Sequence, residues 1–553
     1  MRRHGDRLTN AKKNIRNSCS RFVFTRRIPG YQVMNARSHE FGLLLSVTLT
    51  GMAVLIIEIA ATRILAPFFG NSIFTVSSVI SIVLAALSLG YYSGGRLADR
   101  KPSTVLFFSL IVMAGFAVFL LQLLNASWLP GMAYKLSMVD GPLIVSVMLF
   151  FLPAMFLGML SPFAIKLLHA GNAEKGVGNA AGLVFFWSTF GSIAGSLSAG
   201  FLLIPHWGVS NIIVGVGVGL VLLGGIGILV SPGTSKSFPV GLILLSLLSG
   251  YALTHWARTD GKGVVYVADG LYEKIVIRDI PYQGRNARIL LQDRNISGGM
   301  FVDDGRMAFD YTKYFDLYRL FTPDLKSALV IGGGAYSVPN AILHGSAETI
   351  VDVAEIDPSL HALARKYFAL PDDPRLRNHV IDGRRFLHDT PEQYDLIFSD
   401  AYRSFVSVPL QFTTREFFEL ANSKLKADGV LIANYYGSLG MDTRSMIYSV
   451  WKTMRTVFAD VYMIATVDPG SEALQNFIFV GHKSSKPGER IDFRRAAEMT
   501  FVYPVLNKVA GLELGPPDER MESDLLLTDD FAPVEYHAAN VIRRFDAVSR
   551  RVQ

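Results

Sequence analysis

Three acidic residues end three successive apolar runs in the second half of this chain: Glu355 in Val353-Ala354-Glu355-Ile356-Asp357, Asp382 in Val380-Ile381-Asp382-Gly383, and Asp400 in Leu396-Ile397-Phe398-Ser399-Asp400. About twenty residues before the first, Ala328-Leu329-Val330-Ile331 breaks into Gly332-Gly333-Gly334, the interval at which a glycine turn and a ribose-binding acid face each other across two neighbouring strands. Glycines admit a ligand close to the backbone, and an acid at the end of the next strand accepts ribose hydroxyls. Glu355 is the ribose candidate. Asp357 reads as a helix cap, because Pro358 follows at a first-turn position. Asp382, followed by Gly383, is placed to accept an adenine amine. A plain tight turn competes for the glycines, but the strand before them and the acid after them favour a nucleoside crevice.

Such a crevice needs a sheet. Strand-like runs at 328–331, 350–355, 378–382, 394–399, 429–434 and 476–480 alternate with helical stretches, the pattern of a parallel sheet covered on both faces. Ahead of them, Lys274-Ile275-Val276-Ile277-Arg278 and Arg288-Ile289-Leu290-Leu291 read as a hairpin through Tyr282-Gln283-Gly284-Arg285, and a helix is expected from Tyr311 to Phe321. The fold class is therefore an N-terminal α-helical transmembrane bundle, a small β-hairpin domain, and a C-terminal α/β Rossmann-like domain of the class I methyltransferase kind.

The bundle follows from seven apolar stretches, near 41–65, 72–95, 104–126, 142–168, 179–204, 210–231 and 237–256, each near the ~20 residues that span a bilayer. Small residues are dense within them, as in Gly191-Ser192-Ile193-Ala194-Gly195-Ser196, which suits close helix packing in lipid. Glu58 and Arg63 lie inside the first span; they read either as a pair that locks the bundle or as pathway residues. The boundaries are a basic tail (1–40), the bundle (41–257), the hairpin subdomain (262–325), the nucleoside-binding domain (326–485) and a C-terminal extension (486–553).

Composition removes several classes. Cys19 is the only cysteine, so an internal disulfide framework and a cysteine metal cluster are excluded, and no metal-binding spacing occurs. The net charge of +7 comes largely from the first forty residues; a tail facing anionic lipid accounts for it better than nucleic acid does, unless translation starts at Met34. Basic residues in Arg96–Lys101, Lys166 and Lys175 would face the cytoplasm by the positive-inside rule. With seven spans the soluble half would then lie outside. A nucleoside made in the cytosol argues the reverse, which a re-entrant segment near 237–256 would reconcile.

The segments Leu271-Tyr272-Glu273-Lys274-Ile275, Gly332–Gly334, Val353–Asp357, Asp382-Gly383, Ser399-Asp400 and Phe412-Thr413-Thr414-Arg415-Glu416-Phe417-Phe418 resemble the spermidine synthase (polyamine aminopropyltransferase) family. Glu58–Pro67, Gly90–Arg100 and Leu527–Glu535 resemble bacterial membrane-fused members of that group. The resemblance implies an inner-membrane enzyme with S-adenosylmethionine or its decarboxylated form as co-substrate, an amine or other acceptor, and methylthioadenosine as product. It implies a homo-oligomer, to the extent that bulky spans permit. Asp400 falls at the family's catalytic aspartate. Tyr311, Tyr336, Tyr402 and Arg403 are the substrate-side candidates, the tyrosines 336 and 402 offering aromatic faces to a sulfonium.

Departures from the family pattern bear on the donor. Ala335-Tyr336 stand where Asp-Gly is usual, Arg403 replaces a second aspartate, and Ser297 takes the place of a glutamine. An arginine repels a diamine but suits a carboxylate. Intact S-adenosylmethionine, in a lyase or aminocarboxypropyl-transfer reaction, therefore stands beside aminopropyl transfer. A transporter or sensor with a non-catalytic nucleoside domain is the reading of another class.

Overall fold

The computed structural model describes residues 36–171, 176–231, 237–256, 263–293, 295–401, 409–439, 445–489, 491–494, 503–514 and 519–538. The basic tail, Tyr402 and Arg403 lie outside the described residues.

Seven helices are long and apolar enough to cross a membrane. They are α1 (Ala36–Phe69), α2 (Ile73–Arg100), α3 (Thr104–Ser127), α4 (Gly141–Gly171), α5 (Gly176–Ser198, prolonged by a π-helical turn to His206), α6 (Val209–Val230) and α7 (Ser237–Trp256). Their outer faces are as apolar as their inner ones: Phe186, Phe201, Leu244 and Leu248 are each exposed by about 60% or more, which fits a lipid surround. Where helices meet, small residues bring backbones together. Gly191 and Gly195 of α5 lie against the Thr48 and Met52 backbone of α1, and Gly94 of α2 against Met159 of α4. The last helix is a continuous 20-residue element packed on α6. At 1.5 Å per residue that is about 30 Å, long enough to cross a bilayer.

Consecutive helices reverse direction through short links. One end of the bundle therefore carries Phe69, Ile73 and Val209, and the other carries Arg100, Lys101 and the Lys166–Asp99 ion pair (2.7 Å). The soluble half sits on the first end. Arg63 Nη2 donates to Gly270 O (2.6 Å), the Ile73 amide donates to Glu535 Oε2 (2.9 Å), and the Asp269 carboxylate lies against Gly208. Arg63 thus reaches out of the bundle instead of pairing with Glu58.

The soluble half opens with a four-stranded antiparallel sheet in sequence order: β1 (Val264–Asp269), β2 (Lys274–Tyr282), β3 (Arg285–Gln292) and β4 (Asn295–Phe301). The central hairpin was legible; the outer strands β1 and β4 were not. The expected helix from Tyr311 is instead a single helical turn, Asp310–Lys313, and a 3₁₀ stretch, Tyr314–Leu320. Five consecutive residues, Tyr314 to Tyr318, are buried there, and no one face of an α-helix can bury five in a row.

The second sheet has seven strands, ordered β10-β11-β9-β8-β5-β6-β7. These are β5 (Ser327–Ile331), β6 (Ile350–Glu355), β7 (Leu376–Val380), β8 (Tyr394–Ser399), β9 (Leu425–Gly437), β10 (Asp460–Ala465) and β11 (Gln475–His482). Strands β5 to β9 pair in parallel and β10 and β11 are antiparallel. This is the Rossmann-like, methyltransferase-type mixed sheet. Helices α8 (Ser337–Gly345), α9 (Leu360–Tyr367), α10 (Gly383–Asp389), α11 (Arg415–Lys424) and α12 (Met446–Arg455) cover it. Ala328 to Ile331 are at most 1% exposed, as a central parallel strand covered on both faces requires. Strand order reverses between β5 and β8, so a crevice opens at the carboxyl ends of these two strands.

The α1–α5 seam gives a direct test. Gly191→Leu should lower the thermal transition of the detergent-solubilised protein by several degrees, because its side chain meets the α1 backbone. Gly182→Leu on the open face of α5, where nothing lies within 4 Å of an added Cβ, should leave the transition unchanged.

Candidate active site

A cavity of about 630 Å³ occupies the crevice, lined by Gly332, Gly333, Gly334, Glu355, Asp382, Gly383, Asp400 and Tyr311 among others. Its floor is the turn after β5. Gly332 has φ +89° with its Cα against the Asp400 carbonyl, and Gly334 has φ +52° with its Cα against Ser297 O of β4. A side chain at either position would be strained and would collide with backbone. Ala335 N donates to Ser297 O (3.0 Å), so the hairpin sheet roofs the turn and is part of the site.

Glu355, at the end of β6, is 6% exposed. Its carboxylate accepts from the amides of Gly333 (2.7 Å) and Asp357 (2.8 Å) and more weakly from Gly334 (3.4 Å). Burial pushes its carboxyl up, and these amides oppose the shift. The acid therefore shapes the glycine turn while facing the cavity. Asp357 lies ahead of the cap expected of it: the N-cap of α9 is Ser359, and Asp357 Oδ1 accepts from the Ser359 amide (2.8 Å) and hydroxyl (2.6 Å). Asp382 departs from expectation. Strand β7 stops at Val380, and Asp382 is the N-cap of α10, accepting from Arg385 N (3.0 Å). It still lines the cavity beside Gly383.

Asp400 follows β8, its amide held by Ile331 O (3.0 Å). Oδ1 accepts from Asn434 Nδ2 (2.8 Å), and Asn476 Nδ2 in turn donates to Asn434 Oδ1 (2.8 Å). Neighbouring strands β9 and β11 thus orient the carboxylate through two amides, and Oδ2 takes no hydrogen bond among the described residues. Enclosure pushes the Asp400 carboxyl up to about 6, partly offset by the Asn434 amide. Burial, and then the Asp400 charge, push the Tyr311 phenol well above its ordinary range, so it stays a neutral donor.

The far rim is fixed by the C-terminal extension. Asp529 takes a bidentate pair from Arg384 (2.8 and 2.6 Å) and a bond from Thr414 Oγ1 (2.7 Å). Arg384 also reaches Gln411 O (3.3 Å), and Gln411 lines the cavity.

Tyr336 is not a cavity residue. It is fully buried beneath the turn, in the left-handed region (φ +57°), with its hydroxyl donating to Asn378 Oδ1 (2.5 Å). The residues missed were Asn434, Asn476 and Asn71, and Arg63, read from the sequence as a bundle residue, also lines the cavity. The polar Asn434 in the apolar run Val430-Leu431-Ile432-Ala433-Asn434 was the available signal for the first.

Asn434→Leu removes the amide that favours the ionised form of Asp400. The acid limb of the pH–rate profile should move up from about 6, so that turnover falls several-fold more at pH 6 than at pH 8. An unmoved limb would mean that Asp400 is not the group titrating.

Residues 315–491 match the spermine/spermidine synthase domain. The chain is 31% identical over 235 residues to the polyamine aminopropyltransferase of Vibrio vulnificus (strain CMCP6), covering 42% of this chain and 76% of that one. It is 28% identical over 222 residues to the probable polyamine aminopropyl transferase of Bifidobacterium longum (strain NCC 2705), covering 38% of this chain and 48% of that one. A solved structure of a probable spermidine synthase from Corynebacterium glutamicum is 25% identical over 39% of this chain and 79% of its own, with TM-score 0.35. With one such relative matched at this identity over three-quarters of its length, the chain belongs to the spermidine synthase (polyamine aminopropyltransferase) family.

Proposed function

We propose that the chain is a membrane-bound enzyme that transfers an aminopropyl group from decarboxylated S-adenosylmethionine to an amine, releasing methylthioadenosine. The observation that carries the reading is the charge of the cavity. Glu273, Asp310, Glu355, Asp357, Asp382 and Asp400 line it, against Arg63 as the one cationic side chain among the described residues. Such a cavity attracts a sulfonium and an ammonium and disfavours the extra carboxylate of the intact donor. This weighs against the reading drawn from Arg403, which lies outside the described residues.

An amine near pKa 10 is protonated at neutral pH and cannot attack. Asp400 Oδ2 binds the ammonium and takes its proton. The freed nitrogen lone pair then forms a bond to the methylene beside the sulfonium. The carbon–sulfur bond breaks, and its electron pair returns to sulfur as neutral methylthioadenosine. The positive sulfur is already an activated leaving group, so the remaining work is positioning. Glu355 faces the ribose, Asp382 the adenine, and Tyr311 donates beside the reacting carboxylate. Asp400 must be ionised, so activity is lost as pH falls through about 6.

Asp400→Asn should lower turnover by ~100-fold or more while leaving methylthioadenosine affinity within a few-fold. The same change should stabilise the fold at pH 8, by on the order of 1 kcal/mol. A carboxyl raised by burial favours the folded state below its unfolded pKa, and that contribution is lost as pH rises through about 6; at pH 4 the gain should vanish. Purified protein offered the intact or the decarboxylated donor, each with and without putrescine, decides the reaction by mass spectrometry. Methylthioadenosine should form only from the decarboxylated donor with amine. Its formation from intact donor alone would establish a lyase instead, and no turnover of either would overturn the enzyme reading.

Because the donor is a cytosolic nucleoside, we place the catalytic half in the cytosol, although the basic residues at the far end of the bundle argue for the other side. A Lys486→Cys, Cys19→Ser protein should resist an impermeant maleimide in intact cells and react after lysis, since Lys486 is exposed. Labelling in intact cells would put the domain outside.

A further inference from the structure

The cavity does not close within the soluble half. Arg63, near the end of α1, and Asn71, in the α1–α2 link, line it together with the glycine turn and Glu355. Arg63 Nη2 donates to Gly270 O (2.6 Å). Gly270 begins the turn that joins β1 to β2, closed by Gly270 N donating to Glu273 O (2.9 Å). Glu273 ends that turn; it is 9% exposed and faces the cavity. Beside it is Asp293, whose carboxylate accepts from Lys274 N (2.9 Å).

The charges here are unbalanced without the bundle. Burial, then Asp293, Glu355 and Asp357, push the Glu273 carboxyl well up, and the Arg63 charge opposes them. Asp293 is pushed up to about 6 by burial, against the Lys274 amide and then the Arg63 charge. Two further contacts hold the same hairpin and the C-terminal extension on the bundle: Glu535 on the Ile73 amide (2.9 Å), and Asp269 against Gly208. The approach of Arg63 is therefore built in.

We propose that the end of α1 is one wall of the donor site, and that Arg63 is a positioning residue that holds Glu273 and its turn against the ribose end of the nucleoside. Donor binding and docking of the soluble half on the bundle are then linked, and each strengthens the other by the same factor. This gives the membrane half a role in the reaction without a substrate passing through it. The inference rests on the nucleoside-donor reading above.

The test measures methylthioadenosine binding to the full chain in detergent by calorimetry, with thermal melts as the folding control. Arg63→Met should weaken binding tenfold or more and raise KM for the donor while changing kcat less. Arg63→Lys, which keeps the charge but not the fork, should restore most of the affinity. In a Glu273→Gln background, where the charge to be balanced is gone, Arg63→Met should add less than twofold. Glu535→Ala removes the acceptor of the Ile73 amide away from the cavity and should weaken binding a few-fold; it carries the test if Arg63→Met does not fold. A folded Arg63→Met or Glu535→Ala protein that binds like wild type overturns the inference and leaves the donor site standing. Wild-type protein that binds no nucleoside overturns the donor reading itself.

Discussion

The constraint on which this structure turns is the crowding of carboxylates around a cavity that holds little positive charge. An unpaired buried carboxylate is costly, and several near one another are costlier. Each is handled differently. Glu355 spends one oxygen on the glycine turn and the other on the Asp357 amide, Asp357 bonds Ser359, and Asp400 the Asn434 amide. Asp293 takes the Lys274 amide, and the Arg63 charge from another part of the chain acts on both Glu273 and Asp293. What remains uncompensated is attraction for a cation, and that is what a sulfonium donor and an amine acceptor bring.

The scaffold follows from the need to hold those acids without filling the space between them. The central strands are apolar on both faces and bury completely, so they end in register and set Ile331, Glu355 and Ser399 at one edge. The glycine turn lies so close to Asp400 on one side and Ser297 on the other that the hairpin sheet and the Rossmann-like sheet form a single site. The C-terminal extension finishes the rim through the bidentate Arg384–Asp529 pair. That pair is partly exposed, so its value is in geometry more than in stability.

The junction with the membrane bundle is the least conventional part. The spans pack through small residues, as lipid-embedded helices do, yet the end of α1 carries an arginine out of the bundle to a turn of the soluble half. A charge near a span end costs far less than one at mid-membrane, because the side chain can reach the interface. Here it reaches protein.

The sequence by itself marked the seven long apolar helices, the glycine turn and the acids Glu355, Asp382 and Asp400 that line the cavity. Each is a local signal: hydrophobic run length, a break into glycines, an acid at a strand end. It also carried the family through short motifs. It misjudged Asp382 by the two residues that separate a strand end from a helix cap, and it put Tyr336 on the ligand side of the turn. Strand alternation does not say which way a side chain turns after a left-handed residue. Only the tertiary structure decided that Asn434 and Asn476 orient Asp400, that β10 and β11 complete the sheet in the reverse direction, and that Arg63 leaves the bundle for the catalytic cavity. These pairings join residues 34 to 207 positions apart. Their partners are chosen by packing in space, and nothing in the spacing along the chain records that choice.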